Sequence, residues 1–308
     1  MSIVEKAGAN VLKTNFSKKG KKKKEKGKSA ERTELDIAKE PETVAVDYKA
    51  LSANGFFDPA DKSSQLALEL RAVKRRLLRR IGYLRASGER QAFRTSGKQR
   101  NIILVTSTRA GEGKTFTASN LALSLALEDN IETLLIDGDL ARPKVRERFG
   151  LPAAPGLADC MLDKNLDPET LGWRLKNTTM RILSEGARTE RPTDLFNTAD
   201  SQRFWNDLAT ADPSRLIIVD APPVLATTEA VILAKYANEI LFVVEANSTP
   251  ESAVAAAIDE LIDVNPNVSI MLNRCQIGAG GAHYGAYEYY GRESGDENPE
   301  AEQASTKD

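Results

Sequence analysis

Lys114 and Thr115 directly follow Gly111-Glu112-Gly113, and the apolar run Ile102-Ile103-Leu104-Val105 leads into them. A buried strand that empties into a small glycine-containing turn closing on Gly-Lys-Thr turns its backbone N–H groups toward a phosphate chain. In that arrangement Lys114 reaches the β- and γ-phosphates and the Thr115 hydroxyl holds Mg2+. Residues 116–127 read as a helix, whose N-terminal dipole also faces the phosphates. The common pattern starts with glycine at the position held here by Thr108. The reading is nucleoside triphosphate binding; the bland alternative is a glycine turn with no ligand.

Two acidic motifs can supply the metal side of the same site. Leu134-Leu135-Ile136 runs into Asp137-Gly138-Asp139, and Leu216-Ile217-Ile218-Val219 runs into Asp220-Ala221-Pro222-Pro223. Carboxylates at the carboxyl end of a parallel strand point into the crevice where ligands bind. Asp137 and Asp139, with one residue between them, can approach one metal ion or its waters from adjacent positions, Asp220 suits a carboxylate on Mg2+ or its water, and Mg2+ itself keeps several waters. Asp-Gly is also a common turn pair, and an Asp can cap a turn.

Positioning these residues requires a sheet whose strand ends meet. Strands are expected at Ile102–Thr106, Thr133–Ile136, Met180–Leu183, Leu216–Val219, Ile240–Val244 and Val268–Leu272. Helices are expected after the phosphate loop and at Leu157–Leu162, Asp200–Ala209, Thr227–Tyr236 and Pro250–Val264. The alternation predicts an α/β fold, a mostly parallel sheet with helices on both faces. The expected organisation is a disordered basic tail over 1–45 and a helical extension over 46–100. The α/β domain follows over 101–278, then a flexible tyrosine-rich and acidic tail over 279–308. Within the extension, Ser64–Leu84 reads as a basic amphipathic helix, carrying Leu66, Leu70, Val73, Leu77 and Ile81 at helical spacing. Arg85–Arg100 reads as a loop.

The chain has 308 residues and a formal net charge of −1, which hides a strong asymmetry. Every residue of Lys18–Lys28 except Gly20, Glu25 and Gly27 is lysine, whereas Glu293–Glu302 is acidic and polar. The lysine run is either a solvated tail or attracted to an anionic membrane surface. It lacks the interleaved aromatics of a nucleic-acid platform, so no nucleic acid is expected. Two cysteines and one histidine argue against a disulfide framework and a zinc site. No apolar run spans a membrane and no signal peptide is evident. The expected location is cytoplasmic, peripheral to the inner face of the cell membrane. Four of the seven tyrosines, Tyr284, Tyr287, Tyr289 and Tyr290, crowd one glycine-rich segment. Beside a triphosphate site they read as phosphoacceptors; otherwise they form a low-complexity or docking tail.

These motifs resemble the bacterial tyrosine kinases built on a P-loop, which control export and chain length of extracellular polysaccharide. In particular, the chain is similar to the soluble exosortase-associated tyrosine autokinases. The likeness runs from about Gln65 to Gly291 and rests on the Gly111–Thr115 loop, Asp137–Pro143, Asp220–Pro223 and the tyrosine cluster. It implies a P-loop NTPase fold and an ATP- and Mg2+-dependent tyrosine autokinase. Lys114, Asp137, Asp139, Arg142 and Asp220 would be catalytic, with Asp137 accepting the tyrosine proton. Ala110, Gly111, Glu112, Gly113, Lys114, Thr115, Phe116, Asn273 and Arg274 would hold the nucleotide, Asn273 at the adenine edge. Thr115, Asp139 and Asp220 would sit at the metal. The resemblance also implies trans phosphorylation within a homo-oligomer and a separate transmembrane chain-length co-polymerase as activator. A cognate tyrosine phosphatase is the third implied partner.

The chain departs from its relatives in places. Ala141 stands where many carry arginine, and Leu68 occupies the acidic position of the oligomerisation helix beside Arg71 and Lys74. Arg109 replaces the signature lysine of the division-site and plasmid-partition ATPases. The rival reading is a membrane-cycling ATPase switch of that type with no kinase activity; a nucleotide-binding scaffold is another.

Overall fold

The computed structural model describes residues 40–84, 94–95 and 98–275. The chain divides into two units, Met1–Asn273 and Arg274–Asp308, and only Arg274 and Cys275 of the second are described. The lysine run and the four tail tyrosines lie outside the described residues.

In chain order the elements are β1 (Glu42–Val44), α1 (Tyr48–Ala53), α2 (Gln65–Arg80), β2 (Arg94–Thr95), β3 (Lys98–Gln99), β4 (Ile102–Ser107) and α3 (Lys114–Leu125). Then come β5 (Glu132–Asp137), α4 (Val145–Arg148), α5 (Leu157–Leu162), β6 (Trp173–Leu175), β7 (Met180–Leu183), α6 (Pro192–Phe196) and α7 (Ala199–Ala211). The last are β8 (Arg215–Asp220), α8 (Glu229–Ala234), β9 (Glu239–Glu245), α9 (Glu251–Ile262) and β10 (Val268–Asn273).

The main sheet has eight strands in the order β1-β6-β7-β5-β8-β4-β9-β10. Every pairing in it is parallel except β6 with β7. Its central strands are buried along their whole length and alternate between two cores, as a sheet covered on both faces requires. Ile103, Val105, Leu135, Ile218 and Val243 point into the core shared with α2 and α3. Ile102, Leu104, Ile136, Ile217 and Phe242 point into the core shared with α5, α7, α8 and α9. The six expected strands all form, within a residue or two of their predicted ends.

α3 carries eleven buried residues of twelve, because the sheet lies on one side of it and α2 on the other. Small residues at Ala118, Ser119 and Ala122 let those neighbours approach. α2 begins at Ser64, whose hydroxyl accepts from the Ala67 N–H at 3.3 Å. It buries Leu70, Leu77 and Leu78 against α3. Lys74 is buried with them, donating to the Ser124 carbonyl at 3.0 Å and pairing with Glu128 at 2.7 Å. At its far end Arg80 meets Glu239 at the start of β9. The segment before α2 is tied in as well, since the Phe57 N–H donates to Asn120 Oδ1 at 2.6 Å.

Two expectations are corrected and one strand is added. The tail does not run to residue 45: Glu42–Val44 form edge strand β1, paired with β6. β6 itself was not expected, and its Trp173 and Leu175 fill the core. Residues 85–100 are not all loop, because β2 and β3 pair antiparallel within them. No helix among the described residues is long and apolar enough to cross a membrane.

Candidate active site

β4, β5 and β8 are adjacent, so Ser107, Asp137 and Asp220 end side by side at the carboxyl edge of the sheet. The loop after β4 bends through two left-handed glycines, Gly111 at φ 95° and Gly113 at φ 100°. Only glycine adopts such angles without strain. Gly113 is the N-cap of α3 and has no side chain to satisfy the first-turn N–H groups, leaving them for an anion. Thr108, at the usual glycine position, is fully buried and its hydroxyl has no partner among the described residues.

Lys114 is the first residue of α3 and is buried. Its Nζ lies 2.8 Å from Asp139 Oδ2 and 3.6 Å from Asp220 Oδ1. Burial works against the ammonium, but the charges of Asp220 and Asp139 outweigh it and raise the Lys114 pKa. Thr115 Oγ1 donates to Asp220 Oδ2 at 2.6 Å. Asp220 is wholly buried, and its Oδ1 accepts no hydrogen bond from the described residues. Burial raises the Asp220 pKa, against the opposing effects of Lys114 and Thr115.

The Asp137-Gly138-Asp139 turn is held from several sides. Gly138 N–H donates to the Asp220 carbonyl at 2.8 Å, and a Cβ there would sit 3.1 Å from that same oxygen. Asp137 is wholly buried and accepts from the N–H groups of Lys144 and Val145, each at 2.9 Å, and of Asp139 at 3.2 Å. Burial, then the nearby Asp220 charge, pushes its carboxyl above the ordinary carboxylate range. Asp139 Oδ1 accepts from the Arg142 N–H at 3.0 Å, while the Arg142 side chain is exposed.

The structure therefore brings Gly111, Gly113, Lys114, Thr115, Asp137, Asp139 and Asp220 into one crevice. Ala110 is exposed on the loop. Phe116 packs its ring on Phe56, 5.5 Å between centroids, so only its backbone faces the loop side of the helix. Asn273 Nδ2 donates to the Glu112 carbonyl at 2.8 Å and lies over Gly113. Arg274 opens the second unit, with φ 57°.

Glu112 was expected on the nucleotide, but its inward orientation was not legible in the sequence. The Glu112 side chain is turned inward and almost fully buried, accepting from the Arg109 N–H at 2.8 Å and from the Thr249 hydroxyl. It links the phosphate loop to the start of α9. Nothing in a Gly-x-Gly-Lys-Thr pattern distinguishes a Glu that points in from one that points to solvent.

The donor set suits Mg2+. A hydroxyl and a neighbouring carboxylate with one unpartnered oxygen give a hard, oxygen-rich position. Among the described residues no three acidic, cysteine or histidine side chains form a metal cage. Waters and phosphate oxygens would complete such a shell.

A parallel sheet with a glycine loop, Gly-Lys-Thr and two strand-end carboxylate motifs defines a P-loop nucleotide-binding α/β protein. No family model matches the chain. The putative tyrosine-protein kinase CapB of Staphylococcus aureus is 25% identical over 203 residues, covering 65% of this chain and 86% of CapB. The tyrosine-protein kinase YwqD of Bacillus subtilis is 29% identical over 201 residues, covering 65% of this chain and 81% of YwqD. Among solved structures, the VpsO kinase domain is 27% identical with a TM-score of 0.54, covering 69% of this chain and all of that chain (100%). The chain is thus similar in sequence and in fold to bacterial tyrosine-protein kinases.

Proposed function

We propose that this protein transfers the γ-phosphoryl group of ATP to tyrosine, and that its acceptors are Tyr284, Tyr287, Tyr289 and Tyr290 of a neighbouring copy. The observation that carries the reading is the meeting of Lys114, Thr115, Asp139 and Asp220 at the adjacent ends of β4, β5 and β8. The loop amides and the α3 N-terminus bind the phosphates. Lys114 exchanges Asp139 for phosphate oxygens and balances charge on the transferring group. Thr115, Asp220 and Asp139 are the residues to hold Mg2+. When bound, the ion supplies charge neutralisation between the β- and γ-phosphates. Asn273 and Arg274 are assigned to the nucleotide side of the loop.

A neutral phenol, with a pKa of about 10, attacks poorly. Asp137 takes its proton in this reading, from its place at the end of β5 beside Asp220. Its Oδ2 is covered by the Lys144 and Val145 amides and its Oδ1 by the Asp139 amide, so that turn must shift as the tyrosine enters. The Arg142 side chain, exposed beside it, is assigned to the incoming tail.

The wider role we assign is control of exopolysaccharide polymerisation and export. A transmembrane co-polymerase would activate the kinase and a tyrosine phosphatase would reset it. Lys18–Lys28 would add attraction to the anionic inner face of the membrane.

The test is incubation of the full chain with Mg-ATP, followed by mapping of modified residues by mass spectrometry. Phosphotyrosine is expected within residues 284–290 and is absent in Lys114→Met. ATP hydrolysis with no phosphotyrosine, even beside a membrane activator, rejects the kinase reading in favour of a switch.

A further inference from the structure

The amino-terminal ends of the strands hold a second concavity, on the edge of the sheet opposite the phosphate loop. A cavity of about 800 Å3 opens between α7 and the turn from α8 into β9, with Ile102 at the start of β4 in its wall. The volume is of the size that takes a small molecule. Nothing in the nucleotide chemistry above uses it.

Its lining has a distinct chemistry. Five carboxamides line it, Gln99, Asn197, Gln202, Asn206 and Asn238. Lys235 is the one charged residue among the described residues of the wall, with no carboxylate beside it. Carboxamides offer a donor and an acceptor on one rigid plane, which suits neighbouring hydroxyl groups. A lone ammonium favours a ligand with negative charge.

Two buried donors there lack acceptors. Trp205 is 1% exposed, and its Nε1–H has no partner among the described residues. Gln99 Nε2 is buried and likewise unpartnered. Asn238 is engaged elsewhere, its Oδ1 accepting from the Ile102 N–H at 2.9 Å and its Nδ2 donating to the Gln99 carbonyl. Buried donors without acceptors are rare and costly to stability, and a bound acceptor is one physical reason to keep them. Trp205 stacks on Tyr236 at 5.9 Å between centroids and 21° between planes, giving the floor an aromatic character.

We propose that this cavity binds a hydroxyl-rich anion of mono- to disaccharide size, a sugar bearing a carboxylate or a phosphate. The sugar hydroxyls meet the carboxamides and the anionic group meets Lys235. The site stands apart from the kinase reading, so ATP is not expected to displace the ligand.

The test uses the full chain carrying Trp173→Phe, so that Trp205 alone reports by fluorescence. Glucuronate and glucose 1-phosphate are titrated in, with glucose and inorganic phosphate as separate controls. At least one charged sugar is expected to change the emission saturably, while both controls bind at least about tenfold more weakly. The comparison of glucuronate with glucose 1-phosphate identifies which anionic group is taken. Lys235→Met, an exposed position that leaves the fold intact, is expected to weaken binding about tenfold, as loss of one charge-assisted bond implies. Asn206→Ala is expected to act in the same direction. Glucose binding as tightly as the charged sugars overturns the anion assignment. Phosphate binding as tightly overturns the sugar assignment. No saturable signal from either charged sugar, or displacement by ATP, overturns the site itself.

Discussion

Lys114→Met tests the electrostatics of the crevice before it tests catalysis. Methionine keeps the apolar stem and removes the charge. The Lys114 ammonium lies 2.8 Å from Asp139 and 3.6 Å from Asp220. At an effective dielectric constant of about 20 those separations give gross attractions of roughly 6 and 5 kcal/mol. Desolvation of three buried ions cancels much of this. Removing one partner of such a buried set still costs about 3–5 kcal/mol, because the remaining carboxylates lose the ammonium held between them. Whole-domain stability is on the order of 5–15 kcal/mol, so the variant is expected to fold but to be severely weakened. The assay is urea unfolding at 25 °C without nucleotide, alongside Asp139→Asn and the double variant. The cycle should return a coupling above about 1 kcal/mol for the pair. In a second arm, Mg-ATP at a hundred times its Kd should stabilise the wild type by about 2.7 kcal/mol and leave Lys114→Met unchanged. A Lys114→Met protein within about 0.5 kcal/mol of wild type without nucleotide would refute the reasoning, since surface changes alone stay in that range.

Gly113→Ala should abolish the Mg-ATP thermal shift, because the position has φ 100° and a Cβ there would lie 2.1 Å from Asn273 Nδ2. Adding Asn273→Ala removes the clash but not the backbone strain, so the double variant should still bind ATP more weakly than wild type. Burial, helped by the charges of Asp159 and Asp167, pushes the Cys160 thiol up to about 12 from 9.0. A raised thiol pKa leaves stability intact below pH 9 and erodes it as pH rises toward the folded value. Relative to Cys160→Ala, unfolding in urea should show the wild type losing roughly 1.4 kcal/mol between pH 8 and pH 10. A parallel pair of curves would contradict this. Glu169→Gln should cost about 3 kcal/mol in urea unfolding, since Glu169 bonds the buried Arg215 and Arg181. Burial opposes ionisation of Glu169, but Arg215 and Arg181 outweigh it and lower its pKa. Its contribution is therefore present above the ordinary pKa of 4.5 and lost as pH falls below it, so the gap between wild type and variant should narrow in acid.

The six expected strands were legible because each is a short apolar run ending in chemistry or a turn; for β4, β5, β8 and β9 that run follows from burial on both faces, whereas β10 is an edge strand with Ile270 and Leu272 exposed. β1 was not, because Glu42-Thr43-Val44 is a three-residue edge strand whose pairing is set by β6 far along the chain. β6 failed for a related reason. Trp173-Arg174-Leu175 alternates for only three residues, too few for a periodicity to register. The Arg181–Arg215 cluster was equally hidden. Two arginines at strand starts read as exposed, yet both are almost fully buried because Glu132 and Glu169 arrive from other segments.

Within the crevice, residue types were legible but their present partners were not. Spacing alone put Lys114, Asp139 and Asp220 at strand ends, which follows from a parallel sheet. It did not show that Lys114 would be held between the two carboxylates, or that Asp137 would be covered by the amides that start α4. That distinction divides the three aspartates by task. Asp139 and Asp220 hold Lys114, and in the proposed function they would release it when phosphate arrives. Asp137 faces the Lys144–Val145 turn, so its availability depends on backbone movement rather than on charge exchange. A tyrosine that displaces this turn would uncover the carboxylate only when the acceptor is present. That order would keep the proton acceptor away from water, and it separates acceptance of the tyrosine from the binding of ATP.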